Sequence, residues 1–595
     1  MLFNYKFQIL FILFLFPLVA LAWRWLRPSP SSAPDSRPAP SDYAGSEVCA
    51  ACHEEIAASY ARTGMGRSFR RTADLKEEGQ GEAAHAASGF VYRVEARDGR
   101  IFQVEQRSGA ETGRRRMDYV VGSGRHARTY LTERNGRLFE LPITWYRGTG
   151  WGMTPGFDRP DQARFGRPGA TCLDCHADAP RRASGTEDRF EVPLPEGIGC
   201  ERCHGPGRRH AEEASRGETG GMAALGGLSL DLQGAVCEAC HLPMHLGTGR
   251  TVVRLPREGR SLFDFRPGRP AEEVCVSFIP VDAAGAPDAG ALTPAEGIAA
   301  SHCFRESGGG MGCRTCHDPH AEPEAPVLHF REKCLTCHSK RPCLLSQAER
   351  DRAGDDCAGC HTARLRTPHF SFTDHRILRR PAEIVSRPIG RLTLIPYRGN
   401  PSANDLGRAY MALAADDPKE RGFYVGQAVH YLEKGLGDRP ASPVAWHALG
   451  MAYAHQQDLG RAAEAIRKAI AGDSTRALWH GDLGQALLEA GRLNEAVTAC
   501  QAALRVDSRD GAARVTLGNA LLDMERLKEA EAAYRAALAQ EPEDGEAWGN
   551  LGLTCLKQDK TAEALGAFRK ALALRPEAEK IREIVRELER PPSSP

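Results

Sequence analysis

The sequence predicts a multidomain protein of two unlike parts: a cofactor-cored, mostly irregular and α-helical region with a β-rich insertion, then an all-α solenoid. Three observations lead there. Seven Cys-x-x-Cys-His pentapeptides lie between Cys49 and His361. Two turn signals, Asp98-Gly99 and Asn135-Gly136, each separate a pair of alternating apolar runs. Beyond residue 400 the chain repeats itself every 34 residues. At 595 residues the chain also exceeds what one hydrophobic core serves.

The first residues select a compartment. Lys6 precedes an apolar run from Phe7 to Trp23, and Ala20-Leu21-Ala22 offers a small-x-small cleavage site, which fits an export signal. The run falls between a signal core of roughly 7–15 residues and a spanning helix of roughly 20. Residues 1–27 are therefore expected to be a cleaved signal peptide or an N-terminal transmembrane anchor, with Arg24 and Arg27 opposing the charge rule for an anchor. Either way the remainder is expected to be periplasmic or otherwise extracytoplasmic. Residues 28–45 are rich in Pro and Ser and read as an extended linker. A formal net charge of +1 gives no reason to expect a nucleic-acid partner.

Residues 46–375 hold 17 of the 19 cysteines. The pentapeptides are Cys49/Cys52/His53, Cys172/Cys175/His176, Cys200/Cys203/His204, Cys237/Cys240/His241, Cys313/Cys316/His317, Cys334/Cys337/His338 and Cys357/Cys360/His361. Two thiols three positions apart reach the two vinyl groups of one porphyrin and form thioethers. The adjacent histidine becomes the proximal iron ligand. Structural zinc needs four ligands from paired motifs, and an odd number of units pairs badly. Seven haem c groups, covalently held, are the expectation, and the region would be haem-cored, with porphyrin in place of side chains.

A sixth ligand decides what each iron does: a six-coordinate iron passes electrons, whereas an open position binds and transforms a small molecule. Distal candidates are His126, His210, His245, His320 and His375, with His302, His369 and Met65 contested. His85 and His329 read best as solvated side chains. Cys500 and Cys555 fall at packing positions of the repeat and read as inert core residues.

Between the first two motifs, residues 89–147 lack cysteine and read as a β-rich insertion. Residues 376–403 read as a linker with one short extended piece. From 404 to 591, Gly450, Gly484, Gly518 and Gly552 recur, each followed at fixed offsets by Ala462, Ala496, Ala530 and Ala564, then by Ala469, Ala503, Ala537 and Ala571. This pattern resembles the tetratricopeptide (TPR) repeat, a helix–turn–helix whose stacked copies share a core. Residues 404–437 look like a capping copy, and 577–591 like a charged terminal helix.

The stretch from Cys203 to His210, CHGPGRRH, resembles the haem-binding segment of the cytochrome c-554 and hydroxylamine oxidoreductase group. There the histidine after Gly-Pro-Gly ligates a neighbouring haem. CRTCHDPH followed by CLTCH resembles the doubled-CxxCH motif, which implies that His320 serves another haem; His369 and His375 are offered in the same manner. Together with the repeats, the chain resembles bacterial multihaem proteins that carry a cytochrome c-552/4 or c-554 domain. One departure is Met65, in SYARTGMGRSF, where such proteins often have histidine. It implies a His/Met-ligated or open first haem.

The leading expectation is electron transfer between a membrane quinol oxidoreductase or soluble carrier and a terminal partner, with a peptide or protein ligand in the TPR groove. A second is an oxidoreductase acting on nitrite, hydroxylamine or tetrathionate at one five-coordinate haem. The third is a TPR scaffold whose haems sense redox state.

Overall fold

The computed structural model describes residues 40–590, apart from 73–78, 158–163, 167–168, 184–185, 187, 219, 221, 223–224, 243–251, 283–291, 340–342, 367–370, 380–390 and 438–441. The expected signal or anchor at 1–27 lies outside these residues. Among the described helices none is long and apolar enough to cross a membrane.

The chain divides into two compact units. The smaller comprises residues 1–44 and 206–221, with a 3-10 turn at Pro40–Asp42 and a helix at Arg208–Ser215. Arg208 donates to the carbonyls of Ser41 and Tyr43 within it. The larger comprises residues 45–205 and 222–595.

In the larger unit, β1 (Phe69–Arg71) is followed by a four-stranded antiparallel meander. Its strands are β2 (Gly81–His85), β3 (Phe90–Arg97), β4 (Arg100–Arg107) and β5 (Ala110–Arg116). Next come β6 (Tyr119–Val121), β7 (Ala127–Arg134), β8 (Arg137–Glu140), β9 (Ile143–Tyr146) and β10 (Gly150–Met153). These join β1 in a six-stranded sheet ordered β1-β6-β7-β9-β10, with β8 on β7. Asp98 and Gly99 turn β3 into β4 with φ of 52° and 70°, and Asn135 and Gly136 turn β7 into β8 with 54° and 82°. Two consecutive positive φ values twist a two-residue turn to match its flanking strands.

Alternation on β3 sends Phe90, Tyr92 and Val94 inward, where they meet Met117, Tyr130, Leu141 and Ile143. His85, expected in solvent, is instead buried. It sits opposite Phe90 in the β2–β3 register, on the inward face, with Nδ1 2.6 Å from Ser88 Oγ.

A third sheet packs against the helices that follow it. The strands β11 (Val253–Pro256) and β12 (Cys275–Val281) pair antiparallel, and β15 (Thr393–Pro396) adds to the far edge of β12. A separate two-stranded ribbon pairs β13 (Arg364–Arg366) with β14 (Ser371–Thr373). β15 is the short extended piece expected within 376–403, but it does more than link. Leu392 and Leu394 donate their amides to the hydroxyls of Tyr424 and Tyr410. Val276, Phe278 and Leu394 enter the same apolar core as the helices behind them.

The helix pair Ala403–Asp416 and Arg421–Gly437 starts that solenoid. Four further pairs follow: Pro443–His455 with Leu459–Gly472, Ala477–Glu489 with Leu493–Val506, Gly511–Asp523 with Leu527–Gln540, and Gly545–Leu556 with Thr561–Leu574; Glu579–Glu589 ends it. The recurring glycine has a steric cause. A Cβ at Gly450, Gly484, Gly518 or Gly552 would stand 2.5–2.7 Å from Ile466, Cys500, Tyr534 or Phe568, each on the second helix of its own pair. Only glycine lets the helices cross that closely. Cys500 and Cys555 are buried packing residues, as their repeat positions suggest.

The later repeats also grip the β-rich insertion. Arg189, 2% exposed, spans the junction: Nε meets Asp507 Oδ2 at 3.0 Å, Nη2 the Arg509 carbonyl at 2.7 Å, and Nη1 the Asn135 carbonyl at 2.8 Å. Arg137 with Glu541 at 3.0 Å and Asn135 with Gln540 at 3.1 Å continue the contact. The turn that makes the β7–β8 hairpin is thus also a docking point for the solenoid.

Candidate haem sites

The motifs sit on short helices, because a CxxCH on one helical turn aims both thiols and the imidazole to one side. Cys49 lies in Ser46–Ala50; the second motif runs from Cys172, the last residue of a 3-10 turn, through Leu173–His176, the third fills Cys200–His204, and the fifth spans Cys313–Cys316 with His317 as its C-cap. Three end or fill helices further along: Leu230–His241, Pro326–His338 and Cys357–His361. Asp356 caps the last, accepting from the Gly359 amide at 2.8 Å.

The fold gathers these helices into a connected row. The first and third motifs are tied by Ser46 Oγ accepting from the Cys200 amide at 3.2 Å and by Glu201 Oε2 accepting from the Gly45 amide at 2.9 Å. Cys49 neighbours Cys200, Cys175 neighbours Cys240, and Cys237 neighbours Cys313. Electrostatic neighbours extend the row: Cys203 with Cys240, Cys316 with Cys337, and Cys334 with Cys357. Arg331 pairs with Asp355 at 2.9 Å beside the last two motifs.

Three of the expected proximal histidines have their pKa values lowered by their surroundings. Burial, then the neighbouring His241, pushes His176 down to about 4. Burial also lowers His241, His317 and the distal candidate His375, with neighbouring histidines adding to the shift of the first two. Each shift favours the uncharged imidazole, the form that binds a metal. His361 Nδ1 lies 3.0 Å from the Leu378 carbonyl, which fixes the ring and leaves Nε2 for iron.

The first motif is not carried on one helical run. Its helix stops at Ala50, so His53 is not carried on the same helical run as Cys49. It stands instead at the N-cap of the next helix, Glu54–Tyr60, with φ −117° and ψ 46°, and it is exposed. Its amide still donates to the Cys49 carbonyl at 2.9 Å, which keeps the pentapeptide compact. His338, ending the helix Pro326–His338, is exposed as well.

The distal candidates fall in different places. His320 stacks on His204, and His375 faces His317 with ring centroids 6.2 Å apart and planes at 41°. His375 Nδ1 is 3.0 Å from the Thr373 carbonyl, again leaving Nε2 available. His210 belongs to the smaller unit, with Nδ1 2.8 Å from the Gly220 carbonyl. His126 lies between Arg125 and Arg147, whose charges add to burial in lowering its pKa. His302 is exposed beside Glu306. Met65 is half-buried, and its carbonyl accepts from the Ser68 amide at 3.1 Å. His245 and His369 lie outside the described residues. His329, expected in solvent, is half-buried, with Nε2 3.0 Å from the Cys316 carbonyl.

Three contributors carry no motif. Tyr60 meets His320 edge-on, Gly297 leaves room for the His375 backbone, and Cys303 joins the motif cysteines Cys316 and Cys337. Nothing in the local sequence marks them, since each is placed by residues distant along the chain.

The residues present fit haem. Around the first and sixth motifs, apolar side chains stand in the open: Val48, Ile56, Val327, Leu328 and Leu335. These are positions that a porphyrin edge would cover.

Comparison with known proteins agrees. The family described as cytochrome c554 and c-prime matches residues 160–205, which hold the second and third motifs. The tetratricopeptide repeat family matches residues 421–477, 448–513, 481–524 and 515–579. No curated protein matches the chain. Among solved structures, MamA is 24% identical over 28% of this chain and 96% of its own, with a TM-score of 0.26. YrrB, a TPR protein with an unusual peptide-binding site, is 21% identical over 30% of this chain and 91% of its own (TM-score 0.26). A thermophilic TPR protein from Thermus thermophilus is 20% identical over 31% of this chain and 98% of its own (TM-score 0.26). The family matches support a haem-binding cytochrome c. More particularly, they support one fused to tetratricopeptide repeats that serve protein–protein interaction.

Proposed function

We propose that the chain is an exported electron carrier holding seven haem c groups, with the solenoid as the docking domain for a protein partner. When bound, the haems supply reversible one-electron chemistry. The protein's own part is spacing, burial and ligand choice. The observation that carries the reading is the contiguity of the motif cysteines. The neighbours run first–third–fourth–fifth–sixth–seventh, with the second branching at the fourth. A path of that kind brings electrons in at one end and delivers them at the other. Its ends are the first and seventh motifs, where Cys52 and Cys360 are exposed. The exposure of His53 belongs to the same end of the path.

The test is a pyridine haemochrome count on the purified protein, with low-temperature EPR before and after nitrite, hydroxylamine and carbon monoxide. Seven low-spin haems that ignore all three support the carrier. A high-spin signal that shifts with one of them overturns it and makes the protein an oxidoreductase.

A further inference from the structure

We infer that Arg254 raises the reduction potential of the fourth haem, with Cys275 as its positioning residue; the inference rests on the haem reading above. Arg254 lies on β11 opposite Ser277 of β12, so it shares a face with Cys275, two residues before Ser277. Its Nε and Nη2 each stand 3.1 Å from the Cys275 sulfur. Its Nη1 donates to the Glu238 carbonyl at 3.2 Å and also to that of Ala239. Both carbonyls belong to the fourth motif, between Cys237 and Cys240.

Cys275 is disposed to receive the guanidinium. It is 3% exposed, and its thiol donates to the Ala271 carbonyl at 3.4 Å. The thiol proton is spent there, which leaves the sulfur to accept the two N–H groups of Arg254. A cysteine outside every motif thus has a use that needs neither thioether nor disulfide: it aims one arginine at the turn that carries Cys240 and His241.

The charge is not cancelled where it stands. Glu238, the carboxylate of the same turn, is taken by Tyr397 at 3.2 Å and by Arg398 at 2.9 Å. Among the described residues Arg254 itself makes no ion pair. Asp174 lies within its field, but also within those of Arg182 and Arg202. Cys175 and Cys240, from the second and fourth motifs, both neighbour Arg254. A guanidinium stays charged throughout the working pH range. Oxidised haem carries one more positive charge than reduced haem, so a fixed cation beside it disfavours the oxidised form. The charge falls where the second motif branches from the path, and an electron in transit rests there.

The experiment is a spectroelectrochemical titration of the full-length holoprotein and of R254Q, R254K, C275A and C275S, each with its haem count and EPR spectrum. R254Q is expected to keep the parent's haem count and spin states. It should move one component to lower potential, with a smaller shift in at most one other. R254K keeps the charge and recovers most of the shift. C275A moves the same component the same way by less, and C275S, which still offers an acceptor, stays with the parent. In a C237A/C240A background, which lacks the fourth haem, R254Q leaves only the smaller shift.

An R254Q titration that overlays the parent overturns the inference. So does an R254K shift as large as that of R254Q, because shape and not charge would then be at work. A larger shift that persists without the fourth haem, or a uniform shift of every component, overturns it as well. If R254Q or the C237A/C240A protein does not mature, C275A decides, and an unchanged curve there overturns the pairing of Cys275 with Arg254. A parent protein without covalent haem fails the haem reading itself, a different result from any of these.

Discussion

The eight repeat helices between Pro443 and Leu574 each bury four or more residues, whereas the helix Pro326–His338, of similar length, buries none. The same contrast holds for the short helices around it, at Cys313–Cys316, Gln347–Arg352 and Cys357–His361. Tyr534 and Phe568 fill the solenoid completely, while Leu328 and Leu344 near the sixth motif stand 55% and 88% exposed. Helix formation is therefore not what separates the two regions. What separates them is the material of the interior: side chains in one, and in the haem reading porphyrin in the other. A helix whose apolar side has no protein partner cannot be held by propensity alone at this length.

The sharpest way to break the comparison is to withhold the haem. Full-length protein made without cytochrome c maturation is expected to lose protection across residues 302–361 while the solenoid keeps its helical circular dichroism. Hydrogen exchange read by mass spectrometry checks this, and equal protection in both forms would refute the contrast.

The converse perturbation is Phe568→Ala. The ring is fully buried against Gly552, so its loss should cost the solenoid about 3–5 kcal/mol, seen in denaturant melts, with haem absorption unchanged.

Third comes Arg189→Ala, at the junction where the solenoid meets the insertion. Burial alone would raise the Asp507 carboxyl, but the Arg509 amide and the Arg189 guanidinium outweigh it and hold the group below its ordinary range. A carboxyl depressed in the folded state stabilises above the ordinary aspartate value of about 3.9 and loses that contribution as pH falls through its folded value. Removing the arginine leaves a buried charge unpaired, a loss of about 3 kcal/mol at neutral pH. Below that range the loss shrinks. Thermal melts of both proteins between acid and neutral pH should converge at the acid end; parallel curves would dismiss the pair.

The smallest effect is expected from Arg526→Ala. Its partner Glu529 is 2.7 Å away, but both side chains are largely exposed, so no resolvable shift in melting temperature should follow.

How much is legible without the fold follows the same division. The 34-residue period is local, since each glycine answers to a residue 16 positions on in its own repeat, and the helix pairs can be read directly. Asp98-Gly99 and Asn135-Gly136 likewise announce their hairpins, because a turn is decided by the residues within it. The motifs name their thiols and adjacent histidines for the same reason. They do not say which histidine is enclosed: His176 is half-buried and His53 is exposed, although both end the same kind of pentapeptide. His85 is read wrongly from sequence because its inward facing depends on the β2–β3 register, which no residue near it encodes.

By itself, then, the sequence determined the attachment motifs, the repeat and the turns, all set by covalent spacing over a few residues or one repeat. Only the tertiary structure decided which motifs are neighbours, that His320 lies on His204 and His375 on His317, that β15 completes a sheet, and that Arg189 joins the insertion to the solenoid. Those are contacts between residues tens to hundreds of positions apart. Their partners are chosen by packing, and packing leaves no periodic trace along the chain.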